Sequence, residues 1–593
     1  MDVFAEIRAL VLEELAAMTA CGALPAGCAP DPAPDPMSAS EEGARAITLE
    51  PPKSAAHGDM ACNAALVLAK QAGIPPRDLA QHLGHRLTKD ARIAGFEVAG
   101  PGFLNLRLAD DVWRRVLAAA LNQGQGFGRS DADAGKSVNV EFVSANPTGP
   151  LHIGHMRGAV FGDVLANLLA FTGHRVIREY YVNDGGAQVD VLARSVYLRY
   201  LEARGHAVLF EEGTYPGDYL IPLGQALSDQ VGDAYVGKSE EAWLEAVRTF
   251  AVAQMMELIR ADLALLGVRM DRFFSERALY ESGQIEAALK ALAQRDLIYE
   301  GHLELPRGKA PAHWAPRKQT LFRSTAYGDD IDRPVRKSDG QWAYFASDIA
   351  YHYDKIQRGY AALINVFGAD HGGYVKRMQA VVSALSDRQT PLDVKITQLV
   401  KLWKGGKPFK MSKRAGHFIT LRQMVEQAGT DVARFVMLTR RNDAPLDFDF
   451  DKVRETSREN PVFYVQYAHA RVCAILRKAE AKGENVSAAV LAQADLSALE
   501  HPEDLALMRK LAEWPRLVKV AARVHEPHRI PFYLYELAGA FHAHYKRGDA
   551  DPALRFLQEA PQAGRARLAL ACGVSVVIAS GLGILGVQPA QEM

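Results

Sequence analysis

Apolar residues recur at helical spacing from Val3 to Met18, and a Pro- and Ala-rich stretch, ALPAGCAPDPAPDPMSAS, then breaks the pattern. No core tolerates that composition, so it predicts a loop. HGDMACNAALVLAKQAG resumes a helical period, and GFEVAGPGFLNLRL alternates like a hairpin. The Gly- and Asp-rich NQGQGFGRSDADAGK predicts a linker. From Ser137 the pattern becomes strand, helix, strand: SVNVEFV, then HMRGAVFGDVLANLLAFTG ending on Gly173, then HRVIREYYV. That order predicts a parallel, doubly wound sheet. Charged, mostly helical sequence from Leu192 predicts an insertion extending to about residue 330, with strands returning near QWAYFA and AALINVFG. Beyond Asp451 nearly everything has helical period. The domains predicted are an α+β domain over 1–125, an α/β domain over 126–395 with its insertion at about 192–330, a connecting region over 396–455, and an all-α domain over 456–593.

A 20-residue uncharged run, Leu568 to Val587, is long enough to cross a membrane. Gly581, Gly583 and Gly586 break up its end, and Ser575 and Ser580 interrupt it. It stands alone in the chain and reads as a buried core helix. The N-terminus is amphipathic and acidic, unlike a signal peptide. Five cysteines with no Cys-x-x-Cys pair argue against a zinc site or disulfide framework and fit a reducing compartment. A net charge of −1 argues against a purely electrostatic nucleic-acid binder but leaves local basic patches open.

Chemistry concentrates in EFVSANPTGPLHIGHMRGAVFGDVLA, Glu141 to Ala166. Ligands of open parallel sheets bind where a strand feeds a helix, and a helix N-terminus favours an anion. Here the helix starts near His152. His152 and His155 share a helical face and can reach one phosphate, and Gly154 between them admits a planar base. Two capping histidines are the plainer reading of His-x-x-His alone; Pro147, Gly149, Pro150 and Gly154 around the pair reverse that preference. A second stretch, KLWKGGKPFKMSKRAGHF, carries Lys410 and Lys413 flanking Met411 and Ser412, with Gly405 and Gly406 predicting a mobile loop. A solvated basic loop is the alternative. Such cations can stabilise charge developing on a leaving pyrophosphate.

HIGH at 152–155 and KMSKR at 410–414, in that order, resemble the paired signatures of class I aminoacyl-tRNA synthetases. VEFVSANPTGPLHIGHMRGAVFGDVLANLL, REYYVNDGGAQ, YGDDIDRPVRKSDGQWAYFASDIAYHYDK, VFGADHGGYVKRM and NPVFYVQYAHARVCAILRKA resemble arginyl-tRNA synthetases, over nearly the whole chain from about Ala44. The resemblance implies a Rossmann-like catalytic domain, an N-terminal α+β domain that grips the tRNA elbow, and an all-α anticodon-binding domain. It implies ATP with Mg²⁺, L-arginine and an arginine-accepting tRNA as substrates. It also implies activation that needs bound tRNA. A cytoplasmic monomer, with no membrane partner and no bound zinc, is expected.

Carried onto this sequence, the resemblance makes His152, His155, Lys410 and Lys413 catalytic. It places Pro150, Gly154, Gly368, Asp370, His371, Met411 and Ser412 with them around ATP. Glu141, Ser144, Asn146, His155, Tyr344 and Asp348 match arginine-binding positions. The residues alone leave more open. Two carboxylates and a phenol can hold a guanidinium in paired hydrogen bonds, yet Asp348 also reads as a helix N-cap, Tyr344 as a core aromatic and Asp370 as a turn former. Asn183, Asp184 and Gln188 carry only a general expectation of pocket support. The chain has no large hydrolytic editing module; a pocket built for paired polar contacts rejects analogues lacking them by about 10⁴–10⁵ without one.

In YVQYAHARVCAILRK, Val465, Ala468, Val472, Ile475 and Leu476 form an apolar face, beside which Tyr464, Tyr467, Arg471 and Lys478 project. Aromatic and guanidinium planes stack unpaired bases, so Tyr464, Tyr467 and Arg471 are the predicted anticodon contacts. Tyrosines edging the core are the alternative. TDVARFVMLTRR resembles the Asp-x-x-Arg helix that names this type of anticodon domain. His417, Ala343 and Lys546 depart from residues common in the family, and the loop around residues 24–37 is longer than usual. A synthetase for cysteine or lysine, a tRNA-binding paralogue without catalysis, and a nucleotidyltransferase sharing the histidine turn are the competing readings.

Overall fold

The computed structural model describes residues 1–28, 47–52, 54–302, 318–337, 339–409, 419–558 and 560–593. Lys410, Met411, Ser412, Lys413 and His417 therefore lie outside the described residues, as does most of the Ala/Pro loop. The chain forms two compact units, residues 1–130 with 456–593, and residues 131–455.

In the first unit, helix α1 (Val3–Ala20) starts at Asp2, whose carboxylate accepts the Ala5 N–H, and buries Ile7, Val11 and Leu15 at helical spacing. Strands β1 (Leu49–Glu50), β2 (Met60–Cys62), β3 (Ile93–Ala99) and β4 (Phe103–Leu108) form an antiparallel sheet in the order β1-β2-β4-β3, with helices α2 (Ala64–Ala72), α3 (Pro76–Leu87) and α4 (Asp110–Gln123). The predicted hairpin is β3–β4. The stretch predicted helical from His57 is helical only from Ala64. Met60 and Cys62 point inward on alternate positions, and Ala61 pairs with Asn105, so this half of the stretch is strand. Phe127 sits in the predicted linker yet is fully buried, its carbonyl accepting the Trp514 indole N–H at 2.8 Å.

The second unit is built on a five-stranded, all-parallel sheet in the order β12-β11-β5-β6-β7. Strand β5 (Ser137–Glu141) feeds helix α5 (Ile153–Phe171), which leads to β6 (Arg175–Val182). Helices α6 (Ala187–Ala203), α7 (Ile221–Val231) and α8 (Leu244–Leu265) form a module with its own core of Leu192, Val196, Tyr200, Leu227, Trp243 and Val247. The predicted insertion then returns to the sheet: β7 (Arg272–Ser275) pairs in parallel with β6. After α9 (Glu276–Glu281) and α10 (Gln284–Ala293), β8 (Ile298–His302), β9 (Lys318–Phe322) and β10 (Arg333–Arg336) make a small antiparallel sheet.

QWAYFA is not a strand. Only Trp342 bridges, to Arg336, and helix α11 (Tyr344–Gln357) begins two residues later because Phe345, Ala346, Ile349 and Ala350 recur at helical spacing on the buried side. Strand β11 (Ala362–Gly368) is as predicted, followed by α12 (Val375–Ser386) and β12 (Leu392–Thr397). Gly405 and Gly406, at φ +60° and +70°, turn β13 (Val400–Lys404) directly into β14 (Lys407–Phe409). The glycine pair predicted to loosen a loop instead makes a two-residue hairpin turn, which demands this conformation. Helices α13 (Leu421–Ala428) and α14 (Thr430–Val436) and strand β15 (Leu446–Asp449) complete the unit.

The first unit resumes with α15 (Pro461–Glu480), α16 (Ala488–Leu491), α17 (Pro502–Arg523), α18 (Arg529–Ala550) and α19 (Pro561–Leu585). Helix α19 contains the uncharged run as far as Leu585 and is mostly buried inside the unit. Gly581 and Gly583 do not break it. A Cβ at 581 would meet Leu534 of α18 at 2.6 Å, so this glycine permits close helix packing. The helix ends at Gly586, in the left-handed region at φ +66°.

Candidate active site

The strand order places β6 on one side of β5 and β11 on the other. A crevice at the carboxyl ends of strands opens at such a switch. β5 ends in an unusual turn. Val143 and Ser144 take φ values of +72° and +39°, a region hostile to side chains and most of all to a β-branched one. Neighbours hold it there. Ser144 Oγ donates to Glu141 Oε1 at 3.0 Å and accepts the Tyr181 N–H at 3.1 Å. Asn183 donates to the Ser144 carbonyl at 3.0 Å, and the Tyr180 hydroxyl to the Ala145 carbonyl at 2.8 Å. Strain secured this way is characteristic of functional sites.

The turn delivers the chain to His152, the N-cap of α5. His152 Nδ1 accepts the Gly154 N–H at 3.1 Å, and His155 Nδ1 accepts the His152 N–H at 3.3 Å. The two rings stack, centroids 3.8 Å apart. Both histidines thus cap the helix, as the plainer reading had it. Capping also defines their chemistry: with Nδ1 accepting, a neutral ring carries its proton on Nε2 as a donor suited to phosphate oxygens. A Cβ at Gly154 would lie 3.0 Å from the His152 ring, so the glycine makes room for the imidazole. His152 forms a β-bridge with Thr420, and Leu421 N donates to the Leu151 carbonyl at 2.8 Å. Thr420 stands seven residues after Lys413, so the chain leaving the lysine signature is tied to the histidine turn. At the end of neighbouring β11, Gly368 opens a 3₁₀ turn carrying Asp370 and His371, both exposed, with His371 Nε2 3.6 Å from Asp370 Oδ2.

An acidic slot lies beside the turn. Asp348 is inside α11, not at its cap, and Tyr344 is 73% exposed, not a core aromatic. Asp348 Oδ2 accepts the Tyr374 hydroxyl at 2.8 Å. Burial, reinforced by the nearby charges of Glu276 and Glu141, pushes its carboxyl up to about 7 despite that bond. Glu276, only 6% exposed, opens α9, and burial raises its carboxyl too. Its charge reaches Tyr344, Tyr280 and Asp348. Glu141, Asp348 and Tyr344 therefore come together as predicted, joined by Glu276, Tyr280 and Tyr374, which sequence reading missed. Glu276 lay in the presumed insertion, where nothing marked it; the β7 strand that carries it into the site was the missing signal.

Asn183 and Asp184 gain concrete roles. Asp184 accepts from Ser275 Oγ at 2.7 Å and Arg277 N at 2.9 Å, fixing the start of α9 and hence Glu276. Asn146 Nδ2 donates to Gln188 Oε1 at 2.7 Å. The Asp431–Arg434 helix lies in the second unit. Arg434 is buried there, bonded to Asp163 at 2.5 Å and the Leu266 carbonyl at 3.0 Å, which is a structural role.

In the first unit, Tyr464, Tyr467 and Arg471 of α15 line a cavity of about 420 Å³ together with His542, Tyr545, Lys546 and Asp549 of α18. The Arg471 guanidinium stands 4.4 Å from the Tyr467 ring centre and 4.5 Å from that of Tyr545, and donates to the Tyr467 hydroxyl at 2.7 Å. The predicted trio converges, on a groove whose other wall sequence reading missed.

Residues 6–108 match the arginyl-tRNA synthetase N-terminal domain, residues 116–206 the catalytic domain of class I (R) tRNA synthetases, and residues 465–593 the DALR anticodon binding domain. Arginine–tRNA ligases of Roseobacter denitrificans and Ruegeria pomeroyi are each 64% identical to this chain, with 100% of both sequences covered. The Thermus thermophilus arginyl-tRNA synthetase structure, 22% identical, superimposes with a TM-score of 0.69 over 92% of this chain and 96% of its own, and shares the fold. With full-length identity of this order, the chain belongs to the arginyl-tRNA synthetase family of class I.

Proposed function

We propose that the chain activates L-arginine with ATP, releasing pyrophosphate, and transfers the arginyl group from the adenylate to the 3′ end of its cognate tRNA, releasing AMP. It is a class I aminoacyl-tRNA ligase. The observation that carries the substrate assignment is the slot of Glu276 and Asp348 beside Glu141, rimmed by Tyr344 and Tyr280 and set next to the histidine turn. Planar, bidentate guanidinium recognition is what such carboxylates provide.

The arginine carboxylate attacks the α-phosphate in line, and pyrophosphate leaves. His152 and His155 donate to phosphate oxygens through Nε2. Lys410 and Lys413 balance the charge on the departing pyrophosphate, with Met411 and Ser412 beside the nucleotide; the anchoring of Thr420 to His152 supports their arrival there. Mg²⁺ enters with ATP as part of the substrate. Pro150 and Gly154 line the nucleotide side, and Gly368, Asp370 and His371 face the adenosine from the end of β11. Glu141, Ser144, Asn146, Tyr344 and Asp348 hold arginine, and Glu276 joins them. No covalent enzyme intermediate is required; catalysis is positioning and charge stabilisation. Tyr464, Tyr467 and Arg471 stack anticodon bases, with Tyr545 and His542 completing the groove. The N-terminal domain grips the tRNA elbow.

An aminoacylation assay offering all twenty amino acids with bulk tRNA tests this reading. Arginine alone should be charged; charging of another amino acid, or none, overturns it. Pyrophosphate exchange with and without tRNA shows whether activation awaits the second substrate.

A further inference from the structure

Helix α11 carries Asp348, Tyr351 and Lys355 within reach of Glu141 at the end of β5. The Lys355 side chain is 0% exposed. Its ammonium donates to Glu141 Oε2 at 2.6 Å and Asn365 Oδ1 at 3.1 Å and stands 4.3 Å from the Tyr351 ring centre. Asn365 lies opposite Glu141 in the β11–β5 register, and its amide meets His352 Nε2 at 2.9 Å. His352 Nδ1 lies 2.9 Å from the Asp348 carbonyl. Glu141's remaining oxygen accepts Ser144 Oγ. An unbroken chain therefore runs from Lys355 through Glu141 to Ser144, the residue at φ +39° in the strained turn.

Taking two charges out of water is costly, and apolar replacement of such a pair is often neutral or stabilising. Lys355 takes Glu141 Oε2 and Ser144 takes Oε1, so both Glu141 oxygens are occupied and its charge is balanced within the protein. Glu141 is thereby a poor counter-charge for a guanidinium. Among the described residues Asp348 and Glu276 make no ion pair, although the Arg377 charge reaches Asp348, so they are the carboxyls left to meet a cationic substrate.

We infer that Lys355 is a positioning residue for arginine activation: through Glu141 it locks the Val143–Ser144 turn, and by neutralising Glu141 it leaves charge recognition to Asp348 and Glu276. The inference rests on the reading of the slot as the arginine site.

Pyrophosphate exchange with tRNA present, measured on the full chain, tests it with Lys355→Met, Glu141→Gln, the double variant and Asp348→Asn. Lys355→Met should raise the KM for arginine by about 100-fold, the scale of a small misplacement, while the KM for ATP stays within about threefold. In the Glu141→Gln background the same substitution should cost no more than about threefold, because the group it orients has already lost its charge. Equal costs in both backgrounds overturn the inference, as does a Lys355→Met enzyme with unchanged arginine KM. Should Lys355→Met not fold, Glu141→Gln against the double variant still decides: a large further rise in arginine KM overturns it. Asp348→Asn separates the two readings. An unchanged arginine KM there refutes the slot itself, whereas a weakened one with additive Lys355 effects refutes only the positioning role.

Discussion

The acidic slot and the aromatic groove are each proposed to take a ligand with planar chemistry, but they treat charge in opposite ways. In the slot, carboxylates are buried, held by Tyr374, Ser144 and Lys355, and one of them sits near neutrality in its titration. In the groove, one guanidinium lies against two tyrosine faces beside a cavity. A buried, fixed charge discriminates, because a substrate without the matching group leaves it unpaired. An open stacking surface binds by area and tolerates variation, because every base has a face. The comparison teaches where selectivity for the amino acid and affinity for the nucleic acid should each reside.

Asp348→Asn should break the slot most severely, lowering kcat/KM for arginine by about 10³, the scale of removing one partner of a buried charge pair, with tRNA binding unaffected. Steady-state aminoacylation and a filter-binding assay read the two effects. Next comes His152→Ala, expected to lower the activation kcat by about 100-fold through loss of a preorganised donor, with the arginine KM little changed. A pH series sharpens the slot's side of the comparison. Because the Asp348 carboxyl is raised to about 7, its proton-bearing form dominates below that pH, and a guanidinium needs the ionised form. The arginine KM should therefore rise by about tenfold from pH 8 to pH 6, and Asp348→Asn should flatten that limb. The smallest effect belongs to the groove. Tyr467→Ala should raise the tRNA KM by about fivefold, the lower end of a lost base stack, while arginine activation kinetics stay unchanged.

Contiguous signals were legible. The histidine turn, the β5–α5–β6 unit, the β3–β4 hairpin and the face of α15 bearing Tyr464, Tyr467 and Arg471 each depend on spacing within a few residues, which sequence states directly. Reading failed where local pattern and long-range pairing disagree. QWAYFA alternates for too few residues to distinguish a strand from the first turn of α11. Gly405–Gly406 looks loose until the flanking strands pair. The helical period around Met60 hides a strand because only β4 shows that Met60 and Cys62 face inward.

The sequence by itself carried the family, through the resemblance of its motifs, and also the β5–α5–β6 order and the stacking face of α15, which follow from local backbone preference and periodicity. Only the tertiary structure decided that β7 joins the main sheet and brings Glu276 to Asp348, that Tyr545 and His542 complete the groove, and that Lys355 occupies Glu141. Those contacts join residues far apart in the chain, and their geometry is set by sheet register and burial, quantities that no short window of sequence contains.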